Sequence, residues 1–108
     1  MPQIKMRGVD INKISVISTE MIDELEKIVK CPREYFTIEC ISSTFIKDGK
    51  IDDGYPLIEL VWFDRGQETQ DEVSKSITNF IHKAGYENVD VFFTVLKESS
   101  YYENGEHF

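Results

Sequence analysis

Met1-Pro2-Gln3-Ile4-Lys5-Met6-Arg7-Gly8 opens the chain and governs how the rest is read. From Gln3 to Arg7 the side chains alternate, Ile4 and Met6 against Lys5 and Arg7, the period of a half-buried strand. Proline in second place suits the first residue of a strand, where a missing N–H breaks no ladder. It also carries a chemical meaning. Removal of the initiator Met leaves Pro2 as a free secondary amine, a base without side-chain freedom, held by the strand that follows.

Beyond Gly8 the chain reverses, and Asp10 is placed to cap a helix, with Val9 and Ile14 spaced as a hydrophobic staple. From Ile11 to about Lys30, Ile14, Ile17, Met21, Leu25 and Ile28 recur at three- and four-residue steps, which predicts an amphipathic helix. Cys31-Pro32 ends it, because proline turns the preceding residue away from helical angles. Alternation returns from Tyr35 to Ile46, and Lys47 to Gly54 reads as a polar turn. Leu57 to Phe63 is apolar except for Glu59 and reads as a central strand. Thr69 and Glu72 have capping-box spacing ahead of a second helical stripe, Val73, Ile77, Phe80, Ile81 and Ala84, closed by Gly85. Val89 to Leu96 is a fourth strand, and Asn104-Gly105 marks a turn in the tail.

The sequence thus predicts a single α+β domain spanning residues 1–108. Its plan is two β-α-β units forming a four-stranded mixed sheet with two helices on one face. Ile4, Met6, Phe36, Ile38, Cys40, Ile58, Leu60, Trp62, Val89, Val91 and Phe93 take the helix-covered face. The other face holds Lys5, Arg7, Thr37, Glu39, Glu59 and Asp90, together with Leu57, Val61, Phe63 and Phe92. Four large apolar residues on an uncovered face make a patch of roughly a few hundred Å², more than monomers usually expose. A homo-oligomer is therefore expected.

Twenty acidic residues against 12 Lys and Arg give a net charge of −8. That field repels nucleic acid and anionic membrane surfaces, so neither is an expected partner. A small anionic ligand needs a local recess of Arg or Lys. No apolar run approaches the ~20 residues that span a bilayer, and the start lacks a signal-peptide core, which points to a cytoplasmic protein. Cys31 and Cys40 form no Cys-x-x-Cys pair, and His82 and His107 lie far from them in sequence. No metal site or cofactor is expected.

A Met-Pro start, two β-α-β units in just over a hundred residues and a half-covered sheet together resemble the tautomerase superfamily. This superfamily includes macrophage migration inhibitory factor (MIF) and the 4-oxalocrotonate tautomerases. Trp62-Phe63-Asp64-Arg65-Gly66-Gln67-Glu68 and Tyr101-Tyr102-Glu103-Asn104-Gly105-Glu106-His107-Phe108 extend the likeness to an uncharacterised bacterial family within it. The resemblance implies a trimer whose sheets enclose a central channel, with an N-terminal proline near each subunit boundary. It aligns Pro2 with the catalytic proline, Lys30 with a substrate-binding lysine and Phe63 with an apolar wall of the proline pocket. Arg7, Arg33 and Arg65 all stand as candidates for the family's second arginine.

The implied chemistry is keto–enol tautomerisation or isomerisation of a small anionic carbonyl acid. Pro2 is its base, Arg65 or Lys30 holds the carboxylate, and Arg7 tunes the site. The same residues have plainer uses. Lys5 and Arg7 can pair with Glu39 and Glu59 across strands, Lys30 can complement a helix C-terminus, and Arg65 can be a solvated loop charge. Tyr101 and Tyr102 read as subunit contacts. The alternative function is a non-catalytic trimeric module binding a small molecule or a protein.

Overall fold

A computed structural model of the chain describes residues 2–108. Strand β1 (Gln3–Arg7) keeps its predicted alternation, with Ile4 and Met6 buried and Lys5 and Arg7 on the opposite side. Helix α1 (Ile11–Val29) begins where expected, because the Asp10 carboxylate accepts from the Asn12 N–H at 2.8 Å. It ends as Lys30 adopts a left-handed conformation (φ 60°) and donates its N–H to the Glu26 carbonyl at 2.9 Å. A tight turn over Arg33–Tyr35 leads into β2 (Thr37–Cys40).

Strand β5 (Leu57–Phe63), helix α2 (Gln67–Lys83) and β6 (Asp90–Leu96) repeat the plan after two short strands, β3 (Phe45–Lys47) and β4 (Lys50–Asp52). The main sheet runs β2-β1-β5-β6. Each helix joins a parallel pair, β1 with β2 and β5 with β6, and the two halves meet antiparallel at β1 and β5. This is the predicted mixed sheet. Ile4, Met6, Ile58, Leu60 and Trp62 from the sheet pack with Met21, Leu25, Val73 and Ile77 from the helices to form the core. The α1 stripe is rotated slightly from the predicted one. Ile22 and Val29 are buried, whereas Ile17 and Ile28 are only partly so.

Three expectations need correction. The alternation from Tyr35 to Ile46 is not one strand: pairing with β1 stops at Cys40, and Phe45–Lys47 instead pairs with Lys50–Asp52. The supposed polar turn is the tip of that β3–β4 hairpin, with Asp48 and Gly49 both at positive φ (50° and 76°), as a two-residue hairpin turn requires. Helix α2 starts at Gln67, behind Gly66, and not at the Thr69 capping box. The Asp64 carboxylate accepts from the Gly66 N–H at 2.9 Å and fixes that earlier entry.

The uncovered face also differs from its reading. The C-terminal hairpin, β7 (Tyr102–Glu103) with β8 (Glu106–His107), turns at Asn104-Gly105 as predicted. It brings Tyr101 and Phe108 onto Phe63, with ring centroids 5.4 and 5.3 Å away. Tyr101 is thus an intrachain contact. Val61 is only 8% exposed, while Phe92 remains 43% exposed. The chain covers part of its own apolar patch, so that patch is a weaker demand for a partner than the sequence suggested. Lys5 lies between Glu39 and Glu59 in register, but the ion pair found among the described residues is Arg33 with Asp23.

Candidate functional site

The site is built where the start of β1 meets the end of β5. Pro2 precedes β1, is less than 2% exposed, and accepts a hydrogen bond on its carbonyl from the Thr37 N–H at 3.2 Å. Gln3 stands opposite Val61 in the antiparallel ladder. The pairing ends there, and Trp62 and Phe63 follow Val61 to the end of β5, on the side from which Pro2 enters β1.

Two cations reach this end of the sheet by different routes. Arg65 follows β5 directly, and its Nη1 donates to the Val29 carbonyl at 3.5 Å, a long contact that ties the loop to the last turn of α1. Lys30 is the next residue after Val29 and is exposed. Its left-handed cap aims the chain back toward the sheet. Between them sits Cys31, whose thiol burial pushes above its ordinary 9.0, while the nearby Arg65 charge pulls it partway down. This is the field expected of a cationic recess: Arg65 favours any anion placed there.

Pro2, Phe63, Lys30 and Arg65 therefore lie toward one end of the sheet. Arg7 does not. It ends β1 opposite Leu57, five residues from Pro2, or about 17 Å at the rise of an extended strand. Arg33, the remaining candidate arginine, is committed to α1, pairing with Asp23 and donating to the Thr19 carbonyl at 3.2 Å. Two sizeable cavities among the described residues lie elsewhere. One of about 470 Å³ runs between α1 and β2 past Ile14, Ile22, Phe36 and Cys40, and one of about 630 Å³ lies under the β3–β4 hairpin beside Tyr55 and Asp90. Neither is lined by Pro2, Phe63 or Arg65.

Two features escaped the sequence reading. The Tyr101–Phe108 pair over Phe63 could have been suspected from the apolar terminal residue after the Asn-Gly turn. The other is the indole of Trp62: fully buried, it has no partner for Nε1 among the described residues. Nothing in a one-dimensional pattern signals that. Also among the described residues, no three His, Cys, Asp or Glu side chains converge as metal ligands, and no helix is long and apolar enough to cross a membrane.

This arrangement of elements is the fold of the tautomerase and MIF superfamily. A MIF-like protein of Entamoeba histolytica shares it with a TM-score of 0.75 and 17% identity over 99% of this chain and 98% of its own. A fused 4-OT in a symmetric trimer shares it with a TM-score of 0.75 and 10% identity, over 98% and 94% of the two chains. At those identities the likeness is one of fold. The chain belongs to the DUF1904 family, a domain of unknown function, which matches residues 1–107. A crystal structure of a DUF1904 domain from Sebaldella termitidis ATCC 33386 is 40% identical over the whole of both chains, with a TM-score of 0.93. No curated protein sequence matches the chain.

Proposed function

We propose that this protein is a keto–enol tautomerase or isomerase of small anionic carbonyl acids, acting as a homotrimer with Pro2 as its base. The supporting observation is the junction of β1 and β5, where a buried proline at position two shares one sheet end with Phe63, Lys30 and Arg65. In this reading Met1 is removed. The freed amine takes a proton from the carbon beside a carbonyl and returns it elsewhere on the substrate, while Arg65 or Lys30 holds the carboxylate. Arg7 contributes only where a neighbouring subunit brings it to another protomer's Pro2.

The amine must be substantially neutral for this. A generic α-amine titrates at about 7.7–8.0. Apolar burial and a nearby guanidinium both disfavour its charged form, so they extend the basic fraction into neutral pH. NMR titration of the Pro2 nitrogen in Met1-processed protein tests the reading, with a midpoint below about 8 expected. A midpoint above about 9 overturns it. Turnover of enol and unsaturated acids, lost on Pro2→Ala, is the accompanying expectation.

The second reading is a non-catalytic trimeric binding module, in which the burial of Pro2 serves packing alone. Mass spectrometry of the protein from its native host separates the two, since retention of Met1 leaves an amide in place of the base.

A further inference from the structure

Trp62 is the single tryptophan of the chain and is completely buried. Its ring packs on Phe93, with centroids 5.0 Å apart, yet its Nε1–H meets no acceptor among the described residues. Folded proteins seldom leave a buried donor unpaired, because its lost hydration is not recovered. An orphan of this kind asks for an acceptor that some other state of the molecule supplies.

The ladder points to a candidate acceptor. The β1–β5 pairing ends with Gln3 opposite Val61, and its register carried one residue further would set Pro2 against Trp62, on the helix-covered side that Ile4 and Leu60 also occupy. Directly opposed residues keep their Cβ atoms about 4.5–5.5 Å apart, within reach of an indole ring. Both side chains are less than 2% exposed in the chain that carries Met1.

We infer that the Trp62 indole N–H donates to the Pro2 nitrogen once Met1 has been removed, which makes Trp62 a positioning residue for that base. The inference rests on the proposed free amine at Pro2. While Met1 is attached, the Pro2 nitrogen is a tertiary amide with its lone pair delocalised into the carbonyl, and it accepts no hydrogen bond. Hydrolysis of the Met1–Pro2 bond consumes one water, releases methionine and leaves a secondary amine. The neutral amine presents a localised lone pair; the protonated one presents two N–H donors and no acceptor. An indole only donates, so the contact selects the neutral form and holds the ring in one orientation. During turnover the substrate's carbon-bound proton replaces the indole N–H at the same lone pair.

Other charges at this end of the sheet act on the same equilibrium. Lys30 and Arg65, with Lys97 after β6, favour the neutral amine as the indole does. Glu26 on α1, Glu34 before β2 and Asp64 after β5 oppose it, as does Cys31 once ionised. The indole differs from all of these in acting only through a direct, directional bond, and so it can be tested separately.

One tryptophan gives one indole Nε1–Hε1 resonance. In ¹⁵N-labelled, Met1-processed protein, that resonance is expected to shift with pH at the midpoint of the Pro2 amine. In protein carrying an N-terminal extension on Pro2 it is expected to stay fixed. Trp62→Phe is expected to raise the Pro2 midpoint by about one unit, the equivalent of one net hydrogen bond. An indole resonance that ignores pH while Pro2 titrates overturns the inference, as does an unchanged Pro2 midpoint in folded Trp62→Phe. The wild-type titration decides the matter even if the variant fails to fold. If Pro2 titrates above about 9 with the indole following it, the contact stands and the catalytic reading falls.

Discussion

Arg65 is held by a single long contact to a helix-end carbonyl, and it acts most visibly on its neighbour Cys31. This gives the residue a signature that needs no substrate. Removing the guanidinium in Arg65→Ala should push the Cys31 thiol still higher, because burial and the Glu26 charge then oppose ionisation without the guanidinium that favours it. At a fixed alkaline pH, Cys31 should react more slowly with a thiol reagent, while Cys40, raised by burial alone, stays unchanged. Equal slowing at both cysteines, or at neither, would place Arg65 away from the recess. If the proposed activity holds, the same variant should raise KM about ten- to a hundredfold, the value of a charged hydrogen bond. Both thiols have raised values in the fold, so their contribution to stability is intact below 9.0 and declines as pH rises past it.

At the scale of elements, the β3–β4 hairpin shows how a glycine decides a local fold. Gly54 sits at φ +66°, and a Cβ there would lie 2.5 Å from the Phe45 ring. Gly54→Ala therefore combines a left-handed alanine with a clash at the root of the hairpin. A loss of about 1–3 kcal/mol is expected, read as a lower urea midpoint at unchanged m. An unaltered midpoint would mean that the hairpin is not packed on Gly54. This hairpin is also where the sequence was least legible. The alternation holds from Phe36 to Ile41 and is lost in Ser42-Ser43-Thr44, so nothing in the period showed that Phe45 and Ile46 belong to a separate strand. Asp48-Gly49 flanked by Ile46 and Ile51 was the available clue. The Thr69–Glu72 spacing misled for a related reason: a cap pattern lies inside a helix that Asp64 and Gly66 had already begun. The two crossovers and both core faces were readable because periods of two and of 3.6 each point toward one apolar side. At the candidate site, Pro2, Phe63 and Lys30 were nominated by the resemblance to the tautomerase superfamily and Arg65 as one of three possible arginines, whereas the distance of Arg7 and the orphaned Trp62 donor are properties of the packed chain.

For the molecule as a whole, self-association of a chain with net charge −8 gathers like charge into one particle. The proposed trimer must offset that repulsion with apolar contact. Exposed candidates include Ile46, Ile51, Phe92 and Val95, while the tail already packs on Phe63. Light scattering should give about three times 12.6 kDa, with dissociation favoured at low ionic strength, where the repulsion is least screened. A particle of one chain mass at every salt concentration would remove the trimer from the proposal.

The stacking of Phe108 on Phe63 has a practical corollary. Phe63 is the neighbour of Trp62, so both termini open onto the same corner of the molecule. An affinity handle at either end crowds that corner, and a tandem fusion that joins one copy's tail to the next copy's head forfeits an amine at every junction. Purification strategy and chemistry are therefore bound together in this protein, and a traceless N-terminus is the form in which its reactivity should be judged.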